Sequence, residues 1–264
     1  MSYFSALIQR VHDGISPVEL AYASNELWPL PPNNPVGATL HVSVLDSSFN
    51  PPTLAHLALA RSQPPPSLSS DAPPADYDAR LLLLSVRNAD KELKPGDASY
   101  VQRLEMMCLF AQDVGMEQNR PPNVAVAVIN EPTFGDTPKV QLTFLTGMDT
   151  LVRLFSPRYY PSEEAMRESL HHFLSDEGDD SRVVCARRTV QGTFTKGDQE
   201  QQLPETAKEF VESHRVAIIN ISERERGISS TEVRQLIARG DNAWRSLVTP
   251  AVAEYIAEHN IYRS

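Results

Sequence analysis

The 264-residue sequence predicts an α/β fold built on a doubly wound parallel sheet of about five to six strands. Two observations carry this. Short apolar runs of strand length recur along the chain, and segments with helical periodicity separate them. The run from Val42 to His56 then reads as a buried strand, a tight polar turn and the opening of a helix. A chain of this size forms one domain, here residues 1–264, and can bury a substantial core.

The elements follow in order. Residues 2–25 read as one or two amphipathic helices, with Ala6, Leu7, Val11 and Ile15 at helical spacing, in an N-terminal extension over 1–36. Turn residues from Pro29 to Pro35 end it. The first core strand spans 39–46 and a helix runs from about 52 to 62. The Pro- and Ser-rich stretch 62–78 is expected to be a flexible, solvated loop. Leu81 to Val86 is a strand buried on both faces. Asp97 or Ser99 caps a helix running to about Gln112, on Val101, Leu104, Met107 and Cys108. Strands follow at 124–129, 140–146, 182–186 and 215–220. Helices are expected after Gly147 and at 162–175, 204–213, 230–239 and 250–259.

Composition excludes several classes. The net charge of −10 argues against a broad nucleic-acid surface. No apolar run approaches the roughly 18 residues needed to span a bilayer. No basic segment followed by an apolar stretch marks a secretory signal at the N-terminus. The two cysteines, Cys108 and Cys185, lie in apolar runs and read as buried, inert thiols. A reducing compartment is expected, the cytoplasm or also the nucleus. Neither a G-x-G-x-x-G nor a G-x-x-x-x-G-K-[ST] motif occurs.

The turn after the first strand carries the chemistry. Ligands of such sheets bind beyond the carboxyl ends of the strands, where strand order reverses. A helix start there offers unpaired N–H groups to a phosphate. Asn50 reads as the N-cap, with Pro51 and Pro52 in the first turn. Thr53 and His56, three residues apart, share a helix face and can both point at a phosphate. Far downstream, Ile228-Ser-Ser-Thr-Glu-Val-Arg234 opens another helix. Ser229 and Glu232 fit a capping box there. Ser230, Thr231 and Arg234 add hydroxyls and a guanidinium, a donor set suited to a triphosphate. Arg224 and Arg226 precede it and suit either a phosphate or an exposed charged loop.

These motifs resemble those of one family. Ser47-Ser-Phe-Asn-Pro-Pro-Thr-Leu-Ala-His56 is similar to the G-S-F-N-P-x-H-x-G-H signature of the nucleotidylyltransferase superfamily. The segment from Ile228 to Arg234 resembles its I-S-S-T-x-x-R signature. Ser85-Val-Arg-Asn-Ala-Asp-Lys91 resembles the substrate loop, and Thr146-Gly-Met-Asp-Thr-Leu151 the G-x-D ribose motif. In this order they look like a nicotinamide mononucleotide (NMN) adenylyltransferase, of the divergent fungal promoter-of-filamentation branch.

The resemblance implies a Rossmann-like sheet of the nucleotidylyltransferase type, with ATP and NMN as substrates and Mg²⁺ arriving with ATP. It assigns catalysis to His56 and Arg234. ATP binding falls to Ser47, Ser48, Phe49, Asn50, Thr53, His56, Gly147, Asp149, Ser229, Ser230, Thr231 and Arg234. Acceptor binding falls to Ser85, Asn88, Lys91 and Arg103. No protein ligand set for the metal is evident, since Mg²⁺ often rides on substrate phosphates and water. Ser47 stands where the signature has glycine and is expected to strain the turn. Thr53 and Ala55 replace the first histidine and the second glycine. Phe134, Phe155, Tyr159 and Tyr160 are all candidates to stack on the acceptor base. Nicotinate mononucleotide as acceptor, CTP as donor, and a nucleotide sensor without turnover remain alternatives. An aminoacyl-tRNA synthetase relative does not fit, because the chain is acidic and lacks a Lys-Met-Ser-Lys-Ser motif.

Overall fold

A computed structural model describes residues 2–30, 39–65, 76–86, 96–116, 123–129, 140–187 and 205–263. The chain runs α1 (Tyr3–His12), β1 (Val18–Ala23), β2 (Leu40–Asp46), α2 (Leu54–Ala60), β3 (Ala79–Ser85), α3 (Tyr100–Gly115), β4 (Val124–Ile129) and β5 (Val140–Gly147). It continues with α4 (Met148–Leu154), α5 (Glu163–Leu174), β6 (Arg182–Ala186), α6 (Glu205–Glu212), β7 (Val216–Ile219), α7 (Glu223–Arg226), α8 (Ser230–Ala238) and α9 (Pro250–Glu258). Short 3₁₀ turns follow α4 and α8.

Seven strands form one sheet in the order β1-β4-β3-β2-β5-β6-β7. Six of them are parallel and correspond to the six strands read from the sequence. The chain builds outward from β2 through β3 to β4, then returns to place β5 on the other side of β2. Strand order reverses between β2 and β5, and that crevice is where such sheets bind ligands.

The seventh strand corrects the reading of 2–25 as helix. Only Tyr3–His12 is helical, with Leu7 and Val11 buried. Gly14 follows in the left-handed region at φ 70° and closes the helix, so Ile15 falls outside the pattern and is exposed. Val18–Ala23 then pairs antiparallel with β4, with a bulge between Leu20 and Tyr22. Helical spacing was a weaker constraint than the open edge of β4, whose N–H and C=O groups need partners. Leu20 and Val18 stay largely exposed, as edge-strand residues can.

Packing lies on both faces. Leu45, Leu82, Leu84, Val126 and Val128 meet α1, α2, α3, α8 and α9 on one side. On the other, Val42, Val44, Leu81 and Leu83 meet Trp28 and Phe144. Helices α4, α5 and α6 cover β6 and β7 through Leu151, Phe155, Leu170 and Phe210. All six β4 residues are buried, as expected of a strand covered on both faces. Burial pushes both thiols, Cys108 and Cys185, up to about 12, so neither is a nucleophile. Among the described residues no helix is long and apolar enough to cross a membrane. Most of the expected loop 62–78 (residues 66–75) lies outside the described residues.

Phe110 is fully buried in α3 and supports the turn that follows β2 through Phe49, with ring centroids 6.2 Å apart. Phe110→Ala should therefore destabilise the fold by about 3–5 kcal/mol in urea unfolding, the range for emptying an aromatic core site.

Candidate active site

The site forms where β2 ends. The Ser47 N–H donates to the Leu83 carbonyl at 3.3 Å, so the chain leaves the sheet still tied to β3. Phe49 turns it in the left-handed region at φ 43°. The strain lies there and not at Ser47, whose φ is ordinary; this corrects the expectation placed on the missing glycine. Phe49 can hold that conformation because its side chain is fully buried against Phe110 and the His56 ring. It is thus a floor beneath the turn, and it does not line the ligand cavity as expected.

Asn50 is buried and is not the N-cap, a second correction. Its Nδ2 donates to Asp97 at 2.8 Å. Its Oδ1 accepts from the Ala98 N–H at 3.2 Å and from the Tyr262 hydroxyl at 2.8 Å. Its carbonyl accepts from Arg234 at 2.6 Å. A side chain so engaged has nothing left for a helix end. Pro51 and Pro52 supply no N–H, and the helix begins only at Leu54 with Thr53 as N-cap.

Thr53 is fully buried and acts through His56. The His56 Nδ1 accepts from the Thr53 N–H at 3.1 Å, the return half of a capping box, and lies 2.8 Å from the Thr53 hydroxyl. With Nδ1 as acceptor, the ring proton sits on Nε2. That nitrogen is 3.1 Å from Ser47 Oγ, and both residues border the cavity. Sequence spacing found the Thr53–His56 pair but not that one residue orients the other.

Helix α8 docks on the same turn. Ser229 caps it, accepting from the Glu232 N–H at 3.1 Å. The Ser230 hydroxyl donates to the Pro51 carbonyl at 2.8 Å. Its one proton is thereby committed, and Ser230 serves chiefly to seat the helix. Arg234 reaches the Asn50 carbonyl, lies 3.4 Å from the Thr231 hydroxyl oxygen, and has its Nε 3.6 Å from Asp97. Arg103 is buried rather than solvated. It donates to the carbonyls of Ala98 and Ser48 at 3.0 and 3.4 Å, and its guanidinium is 3.8 Å from Asp97.

A cavity of about 910 Å³ opens above these groups. Apart from Phe49, Thr53 and the base-stacking candidates, every expected site residue within the described part of the chain borders it. Asn88 and Lys91 lie outside the described residues, as does Phe134. Gly147 caps α4, and Asp149 stands exposed in the first turn, open to the cavity and not capping the helix itself. The base-stacking candidates fall elsewhere. Phe155 is core against Phe210, Tyr159 is exposed beside Arg158, and Tyr160 donates to the Leu154 carbonyl at 2.9 Å. Tyr100 and Phe144 are the aromatic side chains that line the cavity beside His56. Among the described residues no group of three or more His, Cys, Asp or Glu could hold a metal ion.

Sequence reasoning missed Asp97, Tyr262 and Asp46. Ser99 took the cap offered to either residue, accepting from the Gln102 N–H at 3.2 Å, and this left Asp97 to bridge Asn50, Arg103 and Arg234. Tyr262 comes from the far end of the chain, and no local signal marks it. Asp46 ends β2 at the cavity. Its side chain is exposed at the strand end. Partial loss of hydration beside the surrounding protein pushes the carboxyl up from 3.8 to about 6.

No protein-family model matches the chain. A Schizosaccharomyces pombe protein, provisionally named a nicotinamide mononucleotide adenylyltransferase, is 32% identical over 225 residues, covering 79% of this chain and 80% of its own. A Stenotrophomonas maltophilia protein, provisionally named a nicotinate-nucleotide adenylyltransferase, is 28% identical over 82% of this chain and 94% of its own. In fold, the chain is similar to Plasmodium falciparum nicotinic acid mononucleotide adenylyltransferase in complex with NaAD, at a TM-score of 0.50 and 15% identity. That match covers 84% of this chain and 97% of the other.

The Asp46 shift has a consequence for stability. Its folded value lies above its unfolded one, so the fold disfavours the ionised form. The penalty is full above about 6, fades as pH falls towards 3.8, and is absent below that. Asp46→Asn should raise the melting temperature at about pH 7.5, and the gain should shrink by about pH 4.5 in thermal scans.

Proposed function

The chain belongs to the family of nicotinamide and nicotinate mononucleotide adenylyltransferases, enzymes of NAD biosynthesis, and from that premise we propose that it transfers AMP from Mg-ATP to NMN, giving NAD and pyrophosphate. The observation that carries this reading is the His56 ring at the cavity, held by Thr53 through Nδ1 so that its Nε2–H is directed to Ser47 Oγ, from which it can pass to a bound phosphate oxygen.

The acceptor phosphate attacks the α-phosphorus of ATP in line, and the bond to the β-phosphate oxygen breaks. No covalent enzyme intermediate is required. Positioning and charge stabilisation suffice for this class of transfer. The Nε2–H of His56 donates to an oxygen of the α-phosphoryl group as negative charge builds there. Arg234 has donors beyond the one it gives to Asn50, and with the Thr231 hydroxyl and the first N–H groups of α8 it holds the departing pyrophosphate. Asp149 accepts from ribose hydroxyls. Magnesium enters as part of the Mg-ATP substrate and offsets phosphate charge.

Arg103, Asp97 and Asn50 work behind these groups. They hold the turn so that the helix start, His56 and Arg234 keep one geometry before ATP arrives. A second reading, with nicotinate mononucleotide as acceptor, draws on the naming of the bacterial relatives.

In an assay of ATP, Mg²⁺ and NMN with chromatographic measurement of NAD and pyrophosphate, the native protein should form both. His56→Ala should cut turnover at least about 100-fold, the lower end for removing a preorganised donor. Near-normal turnover in that variant would overturn the role of His56. Failure of the native protein to form NAD would overturn NMN as the acceptor.

A further inference from the structure

Ser47 follows β2 directly, half-buried at the cavity border. Its N–H is tied to the Leu83 carbonyl at 3.3 Å, so its backbone is fixed to the sheet. Among the described residues its hydroxyl meets one partner, the His56 ring, with Oγ 3.1 Å from Nε2.

The protons of that contact follow from the other side of the ring. His56 Nδ1 accepts from the Thr53 N–H at 3.1 Å, which leaves the ring proton on Nε2. Nε2 is therefore the donor and Ser47 Oγ the acceptor. A hydroxyl has one proton and two lone pairs. With a lone pair engaged by His56, the Ser47 proton is still unspent, and no described residue accepts it. An N–H donated to a hydroxyl oxygen also strengthens that hydroxyl as a donor. Ser47 thus brings a polarised O–H to the cavity border beside the imidazole. Glycine, the signature residue at this position, has no side chain that could do so.

Two donors only 3.1 Å apart suit one phosphoryl group, whose oxygens can meet one each or share both. As negative charge builds on the α-phosphoryl group, the His56 N–H passes from Ser47 to one of its oxygens, and the Ser47 O–H donates alongside. Each hydrogen stays on its own atom and changes only its acceptor. A hydroxyl rotates to suit its partner, so this exchange needs no movement of the backbone turn. Resting on the adenylyl-transfer reading above, we propose that Ser47 is a second catalytic donor: its Oγ accepts the His56 N–H before substrate binds, and in the transition state its O–H donates to the α-phosphoryl group beside His56.

The test is steady-state turnover of ATP, Mg²⁺ and NMN by the native protein, Ser47→Ala, Ser47→Gly and Ser47→Thr. Ser47→Ala and Ser47→Gly should lower kcat by about tenfold or more, short of the loss of roughly 100-fold expected for His56, which remains in place. KM for ATP should change less, because an interaction made only in the transition state acts on kcat. Ser47→Thr keeps the hydroxyl and should lose less than either. An unchanged or higher kcat in Ser47→Ala overturns the proposal, since Ser47 would then only compete with substrate for the His56 proton. A rise in KM alone overturns it, and so does an equal loss of kcat in Ser47→Thr and Ser47→Ala. With the native protein making NAD, those results remove only the role of Ser47. A native protein that turns over neither NMN nor nicotinate mononucleotide would remove the adenylyl-transfer reading, and the role of Ser47 with it.

Discussion

The site depends on how Asn50 is bound. This one buried amide meets Asp97 and Ala98 ahead of α3, Tyr262 near the chain's end and, through its carbonyl, Arg234 on α8. Both its side-chain atoms and its carbonyl are used. Because a buried amide left short of partners is costly, each contact restrains the others. The turn that follows β2 is therefore held from three directions, and the ligand-facing groups inherit its geometry.

That arrangement explains why two motifs nearly two hundred residues apart act together. Helix α8 is not merely near the first turn. Ser230 and Arg234 are hydrogen-bonded to the carbonyls of Pro51 and Asn50. Asp97 lies between two guanidinium groups and offsets charge that would otherwise repel across the cavity. The cations are thus positioned without a ligand, which lowers the reorganisation needed when phosphate charge develops. Phe49 shows the accompanying strain. A phenylalanine in the left-handed region persists because its ring is packed against Phe110.

Asp46 and Asp97 border one cavity in different surroundings. The central strand ends in an exposed carboxylate with no ion-pair partner among the described residues, whereas Val42 and Val44 on the same face are buried among apolar neighbours. The same physics distinguishes Asp46 from Asp97, although both are aspartates bordering one cavity. Among the described residues, Asp97 has cations beside it and Asp46 has none.

The sequence by itself determined the parallel sheet and pointed to the residues of the two helix starts that border the cavity. Period-two and period-3.6 patterns report which faces are buried, and they located all six parallel strands because those strands are covered by helices along their own length. The polar turn and the Ser-Ser-Thr helix start were legible because cap and turn chemistry is local. Tertiary structure alone decided the rest. Val18–Ala23 became a strand because β4 presented an open edge. Asn50 left the helix cap because Asp97, Ala98 and Tyr262 claimed its side chain from distant parts of the chain. Asp46 acquired its raised carboxyl from partial loss of hydration at the cavity edge, a property of an environment that no pattern of neighbours along the chain encodes.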